Sequence, residues 1–347
     1  MILLGLFFIM PGVTSFICYG FFMSISRDPV FDHRFQWAFI HPKHGLTWLS
    51  LGLLALLSWL PVRWRDAMAG SFAPLVIRFS KKQCYIARTN FELCFPELDE
   101  VGREALLLDS IKVGLKTFFA FAEATFLPRA LFLRRFKLQG WEHVAPVLAQ
   151  GKPVIFMIPH SWAIDMAGLY LTAQGLTMCT MMHSAKNPVY DWFINRQRAC
   201  FGGKVYERSS GIKPVIKSMR DGFHFFYLPD QDHGPEASLF VPFFGQPKAT
   251  LPALPKLVKL TGATVFPLFC SYDQRSRRYE LIFRPALQPY PTDDLVADTR
   301  KMNEEIEILL EPRREQYMWF LKYFQTRPEG GSEGFYEAGI RKIRQRQ

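Results

Sequence analysis

Apolar residues along this chain fall into three textures. Up to residue 62 they form long runs: Met1–Ile25 contains no charged residue, and Gly45–Val62 carries LTWLSLGLLALLSWLPV. Between 66 and 128 they recur at helical spacing among basic positions, as in FAPLVIRFSKKQCYIARTNFELCFPEL. Pro96 and Asp99 open a further helix, EVGREALLLDSIKVGLKTFFAFAEATFL, which Pro128 ends. From 137 onward short apolar runs alternate with helical patterns. Strands are expected at Val154–Ile158, Thr177–Met182, Lys204–Glu207, His224–Leu228, Thr264–Cys270 and Tyr279–Phe283. Helices are expected at Trp162–Gln174, Asn187–Cys200, Ile212–Asp221 and Pro252–Thr261, then at Thr299–Leu310 and Arg313–Phe324. Repeated β-α units predict an α/β fold with a mainly parallel sheet covered by helices.

The apolar runs add an amino-terminal membrane-anchoring helix to that expectation. Gly45–Val62 has roughly the minimum length for a span. Trp48, Trp59 and Trp64 with Arg63 and Arg65 resemble an interfacial belt with basic anchors. Arg78, Lys81, Lys82 and Arg88 place the chain beyond residue 62 in the cytoplasm by the positive-inside bias. The organisation expected is therefore an apolar extension at 1–30 (a possible extra span or a misassigned start), a transmembrane anchor at 45–62, a cytoplasmic α/β domain at 66–328 and a mobile basic tail at 329–347. The segment before the second helix is also suited to lying on an anionic membrane, and the Phe-rich stretch Phe118, Phe119, Phe121 and Phe126 is either core or the wall of a lipid chain.

Composition narrows the partners. A formal charge of +11 points to something anionic: nucleic acid, lipid, a phosphorylated substrate or an acidic protein. The six cysteines contain no C-x-x-C pair and read as reduced core residues of a reducing compartment. There is no Walker A loop, no H-E-x-x-H and no G-x-G-x-x-G. Gly330–Gly334 matches G-x-S-x-G but has no strand before it. Asp230, Asp232, His233 and Glu236 fit no standard metal spacing, so no metal is expected.

The chemistry concentrates at GKPVIFMIPHSWAIDMAG, residues 151–168. Val154–Ile158 reads as a buried strand, Pro159 stops its ladder, and Ser161 is placed to cap a helix from Trp162. On one continuous helix His160 and Asp165 would diverge by about 140°. With His160 ahead of the helix, Asp165 in the first turn can receive Nδ1–H and leave Nε2 free to take a proton. A strand's carboxyl end is where open α/β sheets hold ligands. Asp230 and Gln231, in LPDQDHGPE after the strand at 224, organise the same cleft. Arg198 and Arg208 can bind a phosphate bidentately or stabilise charge on a carbonyl oxygen.

These residues also carry a resemblance. H-x-x-x-x-D at His160 and Asp165 looks like the first block of the glycerolipid and lipid A acyltransferases. Arg208 after GGKVYE resembles the second, LPDQ at 228–231 the third, and Pro267 in ATVFPLF the fourth. NPVYDWF, FGGK, GIKP, YLPDQDHGPE, KATLPA, RKMNEE and PRREQY resemble the late (secondary) acyltransferases of lipid A biosynthesis, of the Kdo-lauroyl-lipid IVA myristoyltransferase type, over residues 31–328. The resemblance implies a single-pass enzyme of the bacterial inner membrane whose catalytic domain faces the cytoplasm. It would move a fatty acyl group, myristoyl or lauroyl, from acyl carrier protein to a hydroxyl on an acyl chain of a Kdo-lipid A precursor. His160 and Asp165 would be catalytic, with Arg198, Arg208, Asp230 and Gln231 on the substrate. It implies inner-membrane lipids as partners, no nucleic acid and no cofactor. The other readings of the residues are acylation of a glycerophosphate or another glycolipid, a non-catalytic module binding anionic lipid, and a hydrolase using Ser161.

Overall fold

The computed structural model describes residues 30–32, 34–328 and 334–345. The expectations for Met1–Ile25, and for nearly all of the extension at 1–30, lie outside these residues.

A seven-stranded sheet forms the centre, in the order β1-β9-β8-β2-β5-β3-β4. Its strands are β1 (Phe136–Gln139), β2 (Val154–Met157), β3 (Met178–Met182), β4 (Lys204–Glu207), β5 (His224–Tyr227), β8 (Thr264–Asp273) and β9 (Arg278–Phe283). Five neighbours, β8 to β4, run parallel. β9 returns antiparallel to β8 and takes β1 along with it. All four residues of β2 are buried, as its unbroken apolar run requires of a central parallel strand. The expected mainly parallel sheet is thus present, and each strand read from the sequence is there.

Helices cover it: α5 (Trp141–Ala149) on β9, α6 (Ile164–Ala173) on β8 and β3, α8 (Lys213–Arg220) on β3 and β5, and α10 (Leu295–Leu310) on β8. Between them in the chain lie α7 (Pro188–Arg198) and α9 (Ala253–Thr261). Asn187 caps α7, its Oδ1 accepting from the amides of Val189 and Tyr190, and Pro188 supplies the first helical position. Ahead of the sheet come α1 (Gly45–Trp59), α2 (Val62–Phe79), α3 (Lys81–Cys94) and α4 (Glu100–Phe119). A hairpin of β6 (Leu239–Phe243) and β7 (Gln246–Thr250) stands outside the main sheet and packs on α10.

Two expectations are corrected. Residues 313–324 are not one helix: a 3-10 segment ends at Gln316, Tyr317 is extended, and 318–324 run on through turns as a strap. Nor is the described part of the tail free. Glu337–Gln345 is a helix, α11, that packs on α3, with Ile340 buried and the Tyr336 hydroxyl donating to Asn90 Oδ1 at 2.6 Å.

The expected anchor at 45–62 finds no support in a spanning helix. α1 has 15 residues, about 22 Å of helix against a hydrocarbon core of about 30 Å. Leu60 is extended and Pro61 starts the turn into α2. Among the described residues no helix is long and apolar enough to cross a membrane.

α2 is tied down by charge. Arg65, almost wholly buried, pairs with fully buried Glu123, to which Arg135 adds a contact at 3.4 Å. Removing one member leaves its partner charged and dry, which costs far more than the pair contributes. Glu123→Ala is expected to lower the unfolding free energy by about 3–5 kcal/mol, read from chemical denaturation. A loss under about 1 kcal/mol would show that the pair resembles an exposed surface bridge.

Candidate active site

The parallel strands β2 and β5 are neighbours, so the loops after them leave the sheet side by side. His160 follows β2, Asp230 and Gln231 follow β5, and the two loops are joined by hydrogen bonds. Asp230 Oδ2 accepts the His160 backbone amide at 2.7 Å, and Oδ1 lies 2.6 Å from His160 Nδ1. The Tyr317 hydroxyl donates to Oδ2 at 2.8 Å. Tyr317 sits at the start of the strap, which also clamps the loop from the other side. The amides of Trp162 and Met318 donate to the carbonyls of Gln316 and His160.

These contacts fix the proton inventory. Burial pushes the Asp230 pKa up, but the imidazole beside it and the hydrogen bonds from His160 outweigh that, so its pKa is below the usual carboxylate value. An ionised carboxylate only accepts, so Nδ1 carries the ring proton and Nε2 of the neutral ring is a lone pair. Gln231 Nε2 lies 3.2 Å from that nitrogen and donates to it. The result is an imidazole held in one tautomer with its basic nitrogen covered by a displaceable amide.

Asp165 is elsewhere. α6 begins at Ile164 rather than Trp162, and Ser161 does not cap it: its amide bonds Pro159 O, and its hydroxyl is buried without a partner among the described residues. Asp165 in the first turn is gripped by Arg198, Nε to Oδ1 at 2.6 Å and Nη2 to Oδ2 at 3.1 Å. The expected Asp165–His160 bond is therefore replaced by Asp230–His160, because a cross-strand neighbour reaches the ring directly while Asp165 is held by the half-buried Arg198 guanidinium. Burial lowers the Arg198 pKa, but Asp165 more than offsets it and leaves it raised. Both residues expected on substrate or catalysis here form a tie between α6 and α7.

Arg208 meets its expectation of position at the end of β4, in a short 3-10 turn. Its guanidinium faces two imidazoles, His183 Nε2 at 3.2 Å and His233 Nδ1 at 2.8 Å. Burial, then the guanidinium itself, pushes His233 down to about 4, so it is neutral at physiological pH. No carboxylate pairs with Arg208 among the described residues. That is a half-buried cation with its charge unspent, suited to an anionic group.

Three residues escape a reading of the sequence, and a fourth, His233, is read there only as a metal ligand. Tyr317 and Asp230 are 87 positions apart, so local spacing holds no trace of the contact. His183 and His233 gain meaning only through Arg208. Lys248 on β7 is fully buried with no hydrogen-bond partner for Nζ among the described residues. Beside the site a crevice between α4 and α6 is lined by Gly114, Thr117, Phe118, Phe121, Trp162 and Met166 and reaches Asp165. No group of three or more metal-ligating side chains occurs among the described residues; Asp232 instead accepts from Thr326 and the Gly234 amide.

Burial pushes Lys248 down to about 8, against the pull of Asp230, Asp232 and Cys94. The folded protein then binds fewer protons than the unfolded chain between about pH 8 and 10.5, and its stability rises with pH across that window. Lys248→Met is expected to stabilise the protein by about 3 kcal/mol at pH 7, a gain that shrinks as pH climbs through the window. A gain independent of pH in denaturation curves would refute the buried-cation origin.

Comparison with known proteins bears on the family of the chain. The family model described as bacterial lipid A biosynthesis acyltransferase matches residues 33–326. The chain is 38% identical over 300 residues to a lipid A biosynthesis acyltransferase of Haemophilus influenzae, covering 86% of this chain and 94% of that one. To the lipid A biosynthesis myristoyltransferase of Escherichia coli it is 39% identical over 307 residues, covering 87% and 92%. To the lauroyltransferase of the same pathway and organism it is 30% identical over 301 residues, covering 86% and 97%.

Proposed function

The chain belongs to the bacterial lipid A biosynthesis acyltransferases and is itself an acyltransferase; from that premise we propose that His160 is its general base and Asp230 the residue that orients it. The observation that carries this is the bond from His160 Nδ1 to an ionised, buried Asp230, which leaves Nε2 as the basic nitrogen.

The acceptor is a hydroxyl of a 3-hydroxyacyl chain on a Kdo-lipid A precursor, and the donor is a myristoyl or lauroyl thioester of acyl carrier protein. The basic charge of the chain suits both, since each is anionic. Nε2 takes the hydroxyl proton as the oxygen attacks the thioester carbonyl. The new C–O bond forms, the C–S bond breaks, and the imidazolium returns its proton to the departing thiolate. Asp230 stabilises the imidazolium without taking the proton, as the acid of a His–Asp pair does. Gln231 must leave Nε2 when the hydroxyl arrives, and its amide is then free to face the carbonyl oxygen. Arg208, with His183 and His233 as neutral neighbours, binds an acceptor phosphate or carboxylate. An acyl chain enters between α4 and α6 only where Phe118 and Phe121 give way, because the crevice there is no wider than a water molecule; each CH₂ buried contributes about 0.8 kcal/mol. On this reading the enzyme works at the cytoplasmic face of the bacterial inner membrane.

The test is acyl transfer from acyl–acyl carrier protein to a Kdo-modified precursor, followed by mass spectrometry. His160→Ala is expected to lower kcat about 10²–10⁴-fold, and Asp230→Asn to fall in the same range with KM little changed. Asp165→Asn is expected to act through stability, with kcat recovered where the variant is folded. If Asp165→Asn matched His160→Ala in a folded protein while Asp230→Asn stayed active, Asp165 would be the orienting carboxylate and this assignment would be wrong.

A further inference from the structure

Burial raises the Asp230 pKa, and the charge on the His160 ring is the largest effect that lowers it again. A general base, however, works from its neutral form. When the His160 ring is neutral the hydrogen bonds to Asp230 remain, but that countercharge is gone. A buried carboxylate without a countercharge takes up a proton. Asp230 would then donate to Nδ1, the ring would carry its hydrogen on Nε2, and no lone pair would face the acceptor hydroxyl. Among the effects that hold the Asp230 charge in place, the cation left is Lys248.

Lys248 on β7 has no exposed surface, and its Nζ makes no hydrogen bond among the described residues. Nζ lies 5.6 Å from the centroid of the Phe243 ring on β6. That ring is 6.3 Å from the ring of Tyr317, whose hydroxyl bonds Asp230. The ammonium therefore acts on the carboxylate across a dry aromatic layer, where charges reach further than in water. The hairpin that carries it is fixed by α10. Asn303 donates to Pro242 O at 2.9 Å and to Thr250 Oγ1 at 3.1 Å. Glu307 accepts the Phe244 amide and pairs with Arg300, so these two charges of α10 are used on each other and on the hairpin backbone.

The groups that face Nζ are Asp230, Asp232, His233 and, from the end of α3, Cys94. Asp232 accepts from the amides of Gly234 and Thr326. Burial pushes the Cys94 thiol well up and His233 down, so both are neutral. A buried ammonium without hydrogen bonds costs stability, and a fold tolerates such a cost where a site requires the charge.

We propose that Lys248 is a positioning residue for acyl transfer, its buried ammonium serving as the standing countercharge that keeps Asp230 ionised while His160 is an empty base. The inference rests on Asp230 as the partner of His160. Lys248 is closed off from solvent and touches no substrate. Without it the His160–Asp230 pair binds a second proton more tightly, on the ring or on the carboxylate. Either way Nε2 ends up carrying hydrogen and cannot accept.

The test is the pH profile of kcat/KM for acyl transfer by the full-length protein, whose acid limb reports the pair as a unit. In Lys248→Met that limb is expected to move up by about one pH unit. On the limb kcat/KM then falls about tenfold, and it recovers as pH rises. The position of the limb does not depend on how much of a variant is folded, and Lys248→Met is the variant expected to gain stability. Lys248→Arg, which keeps the charge, should keep the wild-type limb. In the residual activity of an Asp230→Asn background, Lys248→Met should move the limb by less than half as much. A wild-type limb in Lys248→Met, an undiminished shift in that background, or a pH-independent loss confined to KM overturns the proposal. An impaired Asp230→Asn beside an unmoved limb in Lys248→Met overturns this inference alone, whereas full activity in Asp230→Asn overturns the reading of Asp230 and this one with it.

Discussion

The site rests on keeping one carboxylate charged where water cannot reach it. Asp230 is 1% exposed, and an unpaired charge there would neutralise itself by taking up a proton. Three donors prevent this: the His160 amide, the His160 ring and the Tyr317 hydroxyl. The donors come from two separate stretches of chain and Asp230 from a third, so the charge survives only when the loops after β2 and β5 and the strap through Tyr317 are all in place. A catalytic tautomer and the closure of the fold around the sheet's carboxyl edge are the same event.

The same logic explains how far the sequence can be read. Strands are legible because a covered parallel sheet demands unbroken apolar runs, and β4 at Lys204–Glu207 is placed to the residue. The hairpin β6–β7 is not, because Pro242, Gly245 and Pro247 interrupt any alternation in it. The strap reads as helix since its aromatic residues recur at helical spacing, yet Tyr317 and Trp319 are spent on the core and on Asp230. His160 stands out by its place after a strand. Local spacing assigns it a partner five residues away, whereas the contact spans 70 positions. Strand adjacency decides that contact, and adjacency is a property of the sheet order rather than of local spacing.

Arg198 and Asp165 show how a motif can be right about position and silent about purpose. Both stand out in the sequence as site residues, and both lie beside the cleft. Their bidentate pairing consumes the charge of each, so neither has electrostatic capacity left for a ligand until the other is displaced. Arg208 has neutral imidazoles for neighbours and retains its full charge. Two arginines that look equivalent in sequence are thus distinguished by what faces them.

The amino-terminal run poses the same question at larger scale. Hydropathy registers that α1 is apolar all round, but it cannot say whether two sides meet lipid or one meets lipid and the other protein. Its inner face is committed to protein, since Leu51, Leu54 and Leu57 are already covered by the body. Once that face is committed, the outward Leu49, Leu56 and Trp59 are constrained to one side of the molecule. It is the side on which β2 and β5 deliver His160 and Asp230, because helices that start and strands that finish share that edge of a parallel sheet.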